Sequence, residues 1–400
     1  MFTDLPITPK AELHRRIASL QEQLVQQAID GALILQNTDL FYFAGTTQQA
    51  QLYIPAQGSP RLLVRKSLER ARSESALACI EKLPSPKALG DHLQAAGLEL
   101  PKTLGLELDV LPAALYKTYR RIFSGARCVD VSALIRHQRA VKSGFEIACI
   151  REAADLATEV AGRLPDLVRD GMPEIELAGR VEAEARKLGH QGLVRMRLWN
   201  GELFYGHLMS GAAAALPSCL ASPTGGLGLS PAVPQGAGYS RINAYEPIIM
   251  DYVFAKNGYL ADQTRIFALK GLPDELLTAH QSMLDLQDVL QARAKPGTKA
   301  GDLYAFALSW VRERGYADWF MGADEERIRF IGHGIGLELD EFPFLAAGQD
   351  MVLQENMVIA LEPKLIFPGK GVVGIEDTHR VTPDGLERLT GFDQSIQIVS

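Results

Sequence analysis

An Asn-Gly pair at 257–258 divides the stretch PIIMDYVFAKNGYLADQTRIF into two apolar runs. Asn-Gly supplies the two positive φ angles of a tight hairpin turn, and apolar runs on either side read as antiparallel strands. Such a hairpin brings Asp262 back towards Asp251, the residue that ends Ile248–Met250. Carboxylates in surroundings this apolar are costly to bury unless a cation or hydrogen bonds meet them. The question that organises the chain is therefore what neutralises them.

Two further segments repeat the problem. In MVIALEPKLIFPGKGVVGIEDTHRV, Glu362 ends the run Met357–Leu361 and Glu376 follows Val372–Ile375, two strand-like runs joined by a Pro/Gly turn. In IGHGIGLELDEFPF, His333 stands between two glycines and is followed by Glu338, Asp340 and Glu341. Taken singly, each acid reads as a strand-end residue facing solvent or an arginine, with Arg265 and Arg380 available. A lone histidine reads as a hydrogen-bonded structural residue. Jointly, Asp251, Asp262, Glu362, Glu376 and His333 suit two adjacent divalent ions, Mn, Co, Fe or Zn, because carboxylates can bridge both metals while a neutral imidazole completes one.

With 400 residues the chain is long enough for two or three domains of about 100–200 residues. Leu13, Ile17, Leu20, Leu24 and Ala28 recur at steps of three and four and predict a helix over 11–28. The short apolar runs GALIL and RLLV predict buried strands, so residues 1–135 read as an α/β domain. From 136 to 400 a second domain follows, opened by RAVKSGFE and the long helical patterns EIACIREAADLATEVAGRL and EIELAGRVEAEARKLG. Beyond 195 the pattern favours strands and loops, and the Gly/Pro-rich stretch 223–238 excludes a regular element. That stretch lacks the Lys-Ser/Thr of a phosphate loop and reads as a substrate-covering or interface loop.

A net charge of −7 without a Lys/Arg block argues against nucleic acid. No window is apolar enough to span a membrane, and the N-terminal stretch lacks the pattern of a secretory signal, so a cytoplasmic location is expected. Cys79, Cys128, Cys149 and Cys219 have no zinc-finger or CxxC spacing and read as reduced thiols, mostly core filler.

These segments resemble the metallopeptidases of the aminopeptidase P, prolidase, methionine aminopeptidase and creatinase type. RIASLQEQLVQQAIDGALILQNTDLFYFAG is similar to the start of the creatinase-type N-terminal domain, and RAVKSGFEIACIREAADLA to the helix that opens the catalytic domain. The ligand series is the specific part: Asp251, then Asp262 with Thr264-Arg265, His333 with Gly334 and Gly336, Glu362-Pro363, and Glu376-Asp377. The resemblance implies an α/β (α+β) chain, a creatinase-like N-terminal domain followed by a pita-bread catalytic domain. It also implies a dinuclear centre whose ions bridge a water, with Glu362 as base as well as ligand, a peptide substrate cut near its N-terminus, and a homodimer. The glycines beside His333 are expected to let the backbone run close to metal and substrate.

Two departures stand out. The family's later histidine of a His-Glu-x-Pro motif is Asp340 here, and the histidine expected after a proline upstream of the first aspartate is replaced by Pro217-Ser218. Members of the family use those histidines to hold the substrate carbonyl and the tetrahedral intermediate, so ordinary proline-peptidase activity is in question. His207 is a candidate substitute at the mouth of the site, Asp340 a candidate for a cationic substrate group, and His379 is expected to point away from Glu376 by strand alternation. A creatinase-like or ectoine-type hydrolase of a small amide or amidine, or a lyase, is the alternative; a non-catalytic binding module is a third.

Overall fold

The computed structural model describes residues 6–203 and 205–399, so the first residues of the N-terminal stretch examined for a secretory signal lie outside it. The chain divides into two compact units, 1–139 and 140–400. The sequence suggests a division at 135–136, but a helix, Ser132–Ala140, spans that point and carries the first unit on to Arg139.

The first unit alternates helix and strand. Its order is α1 (Lys10–Gln26), β1 (Gly31–Ile34), α2 (Asn37–Ala44), β2 (Ala50–Pro55), β3 (Arg61–Val64), α3 (Leu68–Glu74), β4 (Ile80–Lys82), α4 (Leu89–Ala95), β5 (Thr103–Leu106), α5 (Ala113–Ile122), β6 (Arg127–Asp130) and α6 (Ser132–Ala140). The sheet order is β4-β3-β2-β1-β5-β6, with β1 antiparallel to β2 and parallel to β5. Helix α1 buries Leu13, Ile17, Leu20 and Leu24, the stripe its periodicity predicts.

The second unit opens with α7 (Gly144–Leu167). Ser143 and Glu146 form a capping box there: the Ser143 hydroxyl accepts from the Glu146 N–H and the Glu146 carboxylate from the Ser143 N–H. Then come α8 (Glu174–Lys187), β7 (Gly206–Ser210), the short α9 (Gly211–Ala214), and the hairpin of β8 (Pro247–Lys256) and β9 (Tyr259–Leu269). Asn257 and Gly258 turn that hairpin with φ of 52° and 88°, the left-handed pair such a turn requires.

Two helices follow where the sequence favoured strands and loops, α10 (Asp274–Arg293) and α11 (Ala300–Glu313). Leu276, Ala279, Met283, Leu286 and Leu290 are buried at steps of three and four along α10, a helical stripe that a strand assignment overlooks. The remaining strands are β10 (Phe330–Gly334), β11 (Glu341–Ala346), β12 (Val358–Leu361), β13 (Lys364–Phe367), β14 (Gly371–Gly374), β15 (Glu376–Thr382), β16 (Gly385–Arg388) and β17 (Gln397–Val399). They build a sheet ordered β11-β10-β12-β15-β9-β8-β7, with β16 added to β15 and β17 to β9. The two runs expected to be joined by one Pro/Gly turn are separated by a further strand, since β13 pairs with β14 as a hairpin of its own and leaves both glutamates at its base. Helices α10 and α11 pack in one core with Ile359, Leu361, Val373, Ile375 and Val381.

Among the described residues no helix is long and apolar enough to cross a membrane. No disulfide joins the four cysteines; Cys79, Cys128 and Cys149 are half-buried, with Cys128 packed against the core of the first unit, while Cys219 is exposed and is not core filler.

His190 links α8 to the sheet. Its Nδ1 accepts from the Gly192 N–H at 2.9 Å, its Nε2 lies 3.1 Å from the Val253 carbonyl, and its ring stacks on Tyr205. Both nitrogens are thus committed to the neutral form, and burial pushes the pKa down to about 4. An unfolded imidazole titrates near 6.5, so between about pH 6.5 and 4 the unfolded chain takes up a proton that the folded chain refuses, and stability falls with pH. Urea unfolding of the chelator-treated protein should show this loss, and a His190→Gln variant, weaker at pH 8, should lose less on moving to pH 5.

Candidate metal centre

Register places the acids. On β8 and β9, Asp251 faces Thr264 and Asp262 faces Val253, so the two aspartates lie diagonally on one face. His207 of β7 faces Asp251 from one side, and Glu376 of β15 faces Thr264 from the other. Ala360 of β12 stands opposite both Thr378 and His333, and Glu362 follows two residues on. Period-two alternation therefore gathers residues from β7, β8, β9, β15, β12 and β10 onto a single face. His207, Asp251, Asp262, His333, Asp340, Glu362 and Glu376 all line one cleft. Every site residue inferred from the sequence is in it.

The partner of these acids is one the sequence reading passed over. Lys364, at the start of β13, is 1 % exposed and places its Nζ 2.9 Å from Asp251 Oδ2, 2.8 Å from Glu362 Oε2 and 2.7 Å from Glu376 Oε2. An ammonium has three donors, and all three are engaged. Arg265 and Arg380, the partners suggested from the sequence, are occupied elsewhere: Arg265 pairs with Asp377 at 2.6 Å, and Arg380 with Asn356 and Glu387. A usable signal was present in VIALEPKLIF, where a single lysine interrupts an apolar run that itself ends in an acid.

The ammonium serves only half of the cluster. Burial works against the charge of Asp251, yet Lys364 and His207 outweigh it and hold this carboxyl below the usual range. Asp262 goes the other way, held well above that range by burial and by Glu376 and Asp251. Burial likewise pushes Glu376 up to about 8 despite Lys364. For His333, burial opposes the charge but Asp340, Glu362 and Glu376 raise the pKa above the ordinary value. The side away from Lys364 is short of positive charge.

A divalent cation fits that side. Asp262, His333 and Glu376 each offer a ligand atom within 4.8 Å of the others, and the buried Oδ1 of Asp262 has no hydrogen-bond partner among the described residues. Glu362 Oε1 lies 3.7 Å and Glu376 Oε1 4.0 Å from His333 Nε2. Oxygen and imidazole donors of this kind suit Mn, Co, Fe or Zn.

The acids after His333 separate by role. Glu341 is structural, 3.0 Å from Lys142 Nζ and accepting from the Leu337 and Glu338 N–H groups; Glu338 lies 3.6 Å from Arg197. Asp340 stays on the cleft, 3.8 Å from His333 Nδ1. The glycines around His333 have a steric reason of their own: a Cβ at Gly334 would strike the Phe342 carbonyl of β11, and one at Gly336 the Glu341 carboxylate.

His207 is 5 % exposed, with Nδ1 3.0 Å from the Thr224 hydroxyl and a buried Nε2 that lacks a partner among the described residues; burial lowers its pKa. Thr224 belongs to the Gly/Pro-rich stretch, whose Ser222 and Pro223 also line the cleft. Ser218, in the place of the family's upstream histidine, turns its hydroxyl to the Pro234 carbonyl. His379 lies on the opposite face of β15 from Glu376, as alternation requires, but it is fully buried.

An α/β unit followed by a sheet that carries carboxylate and imidazole ligands on one face defines a two-domain metalloenzyme fold. The model of metallopeptidase family M24 matches residues 148–383, and that of the creatinase/prolidase N-terminal domain matches residues 16–141. The chain belongs to metallopeptidase family M24, with a creatinase-type α/β domain ahead of the pita-bread catalytic domain. Over 386 residues it is 27% identical to an Xaa-Pro dipeptidase of Pyrococcus furiosus, covering 96% of this chain and 100% of that one. A crystal structure of the prolidase from Pyrococcus horikoshii superposes with a TM-score of 0.80 at 26% identity, covering 95% and 99% of the two chains. An X-Pro aminopeptidase of Thermotoga maritima, 24% identical with a TM-score of 0.80 over 95% and 100%, shares the fold.

Two outcomes are expected. Saturating Mn or Zn should raise the thermal unfolding midpoint, since a ligand bound only by the native state stabilises it, and Asp262→Ala should abolish that rise. Gly334→Ala should cost about 1–3 kcal/mol in urea unfolding, because β10 and β11 must part to admit the methyl group.

Proposed function

We propose that the protein is a metal-assisted hydrolase of the Xaa-Pro peptidase type, cutting a peptide bond near the substrate N-terminus. What carries this is the convergence of Asp262, His333, Glu376 and Glu362 on one cleft. The full-length curated relatives named Xaa-Pro dipeptidase support it. A divalent metal, Mn, Co, Fe or Zn, would be held by Asp262, His333 and Glu376 and would supply Lewis acidity towards the carbonyl and a water of pKa near 7. The ligand residues for the two ions implied by the sequence all reach the cleft, and Lys364 stands among Asp251, Glu362 and Glu376.

Glu362 is the base. One oxygen is pinned by Lys364, and the other, on the His333 side, takes the proton of the attacking water and passes it to the leaving nitrogen. Met196, Leu198, Leu203, Val253, Phe330 and Leu339 form an apolar wall that accepts a proline ring and thins the water around the scissile bond. His207, favoured neutral by burial and with Nδ1 at hydrogen-bond distance from the Thr224 hydroxyl, offers in its Nε2–H tautomer an N–H for the developing oxyanion. Asp340 receives the substrate's ammonium group.

Asp340, a carboxylate on the cleft outside the peptide-cleaving pattern the chain resembles, also favours a small cationic amide or amidine. A panel of Xaa-Pro dipeptides and longer Xaa-Pro peptides, set beside small amides and amidines, separates the two after loading with Mn or Co. Cleavage of the Xaa-Pro bond is expected, with kcat reduced at least about 100-fold by Glu362→Ala. His207→Leu should lower kcat by about 100-fold with little change in KM. Turnover of amides or amidines alone would reject the peptidase assignment.

A further inference from the structure

We propose that the Lys364 ammonium takes the place of a second metal ion, so that the centre holds one divalent cation, on Asp262, His333 and Glu376. The inference rests on the metal-dependent reading above and assigns a role to a residue outside the ligand series.

The carboxylates themselves divide the cluster. Glu362 and Glu376 each give Oε2 to Lys364 and leave Oε1 facing His333. Asp251 gives Oδ2 to the same ammonium, while Asp262, His333 and Glu376 form the group that can close on an ion. A second ion held by Asp251 and Glu376 would need their oxygens at roughly 2.0–2.2 Å, in the volume Nζ fills. Two cations cannot share it.

Nor is the lysine free to swing aside. Its stem is buried, its backbone pairs with Gly374 across the β13-β14 hairpin, its carbonyl accepts from the Met321 N–H at 3.0 Å, and its N–H meets Met321 Sδ at 3.3 Å. Glu362 lies two residues before it, across Pro363, so the ammonium and its acceptor come from one rigid corner. With its three donors spent on three carboxylates, Lys364 has none for substrate. It is a positioning residue, a fixed counter-ion that orients Asp251, Glu362 and Glu376.

The test is stoichiometry. Full-length protein loaded with excess Mn and desalted is measured by plasma mass spectrometry and by electron paramagnetic resonance. Wild type should carry one Mn per chain with the six-line signal of an isolated ion. Lys364→Gly, which clears the volume, should carry two with an exchange-coupled spectrum; Lys364→Met, which keeps the stem and removes the charge, should stay at one. Two coupled ions in wild type would overturn the proposal, as would a folded Lys364→Gly protein that still binds one. If neither variant folds, anomalous scattering from Mn-loaded wild-type crystals decides: one peak between Asp262, His333 and Glu376 supports it, and a second beside Asp251 overturns it. No ion at all would overturn both this proposal and the metal-dependent function, whereas one ion without Xaa-Pro cleavage would reject only the peptidase assignment.

Discussion

Mutual repulsion among Asp251, Asp262, Glu362 and Glu376 is the constraint around which the second unit is built. Their side chains meet on one face of a largely buried sheet, lining a single cleft. Like charges so close cannot all stay ionised in a poorly solvated space without cations among them. The Asn257-Gly258 turn, the register of β8 on β9 and the pairing of β12 with β15 all act to assemble this unfavourable group. Lys364 relieves one half of it, leaving the Asp262 side, whose buried Oδ1 has no hydrogen-bond partner among the described residues, without such a counter-ion.

The cleft follows from the same geometry. Strand alternation that turns the acids to one face also sets His207 opposite Asp251. The glycine-rich stretch, irregular because its residues cannot sustain a ladder, then folds Thr224 against the imidazole. At the other end, the β10-β11 turn presents Asp340 to the cleft while Glu341, one residue on, is tied to Lys142. Adjacent acids thus meet different surroundings, Asp340 the cleft and Glu341 a buried lysine.

Much of this was legible in the sequence, for reasons that can be named. Asp251 and Asp262 could be brought together because an Asn-Gly turn fixes hairpin register over a short distance. His333, Glu362 and Glu376 came from a spacing pattern whose chemistry is shared by a family. What escaped was long-range. The lone lysine of VIALEPKLIF marks Lys364 as unusual, but whether it or Arg265 faces the acids depends on which side of the sheet each long side chain enters. Helices α10 and α11 escaped for another reason, since a stretch rich in strands on both sides drew attention from a stripe of period 3.6. The β13-β14 hairpin likewise hid inside a single Pro/Gly-punctuated run.

Lys364 carries one last consequence, for the life history of the chain. A counter-ion encoded in the polypeptide arrives with synthesis and cannot be lost to dilution, chelation or competition from other metals. The acids on its side of the cluster find their partner as soon as β13 docks, whatever the supply of ions at that moment. Maturation thereby separates into two events of different kind: closure of the sheet, governed by the chain alone, and acquisition of metal, governed by the surroundings.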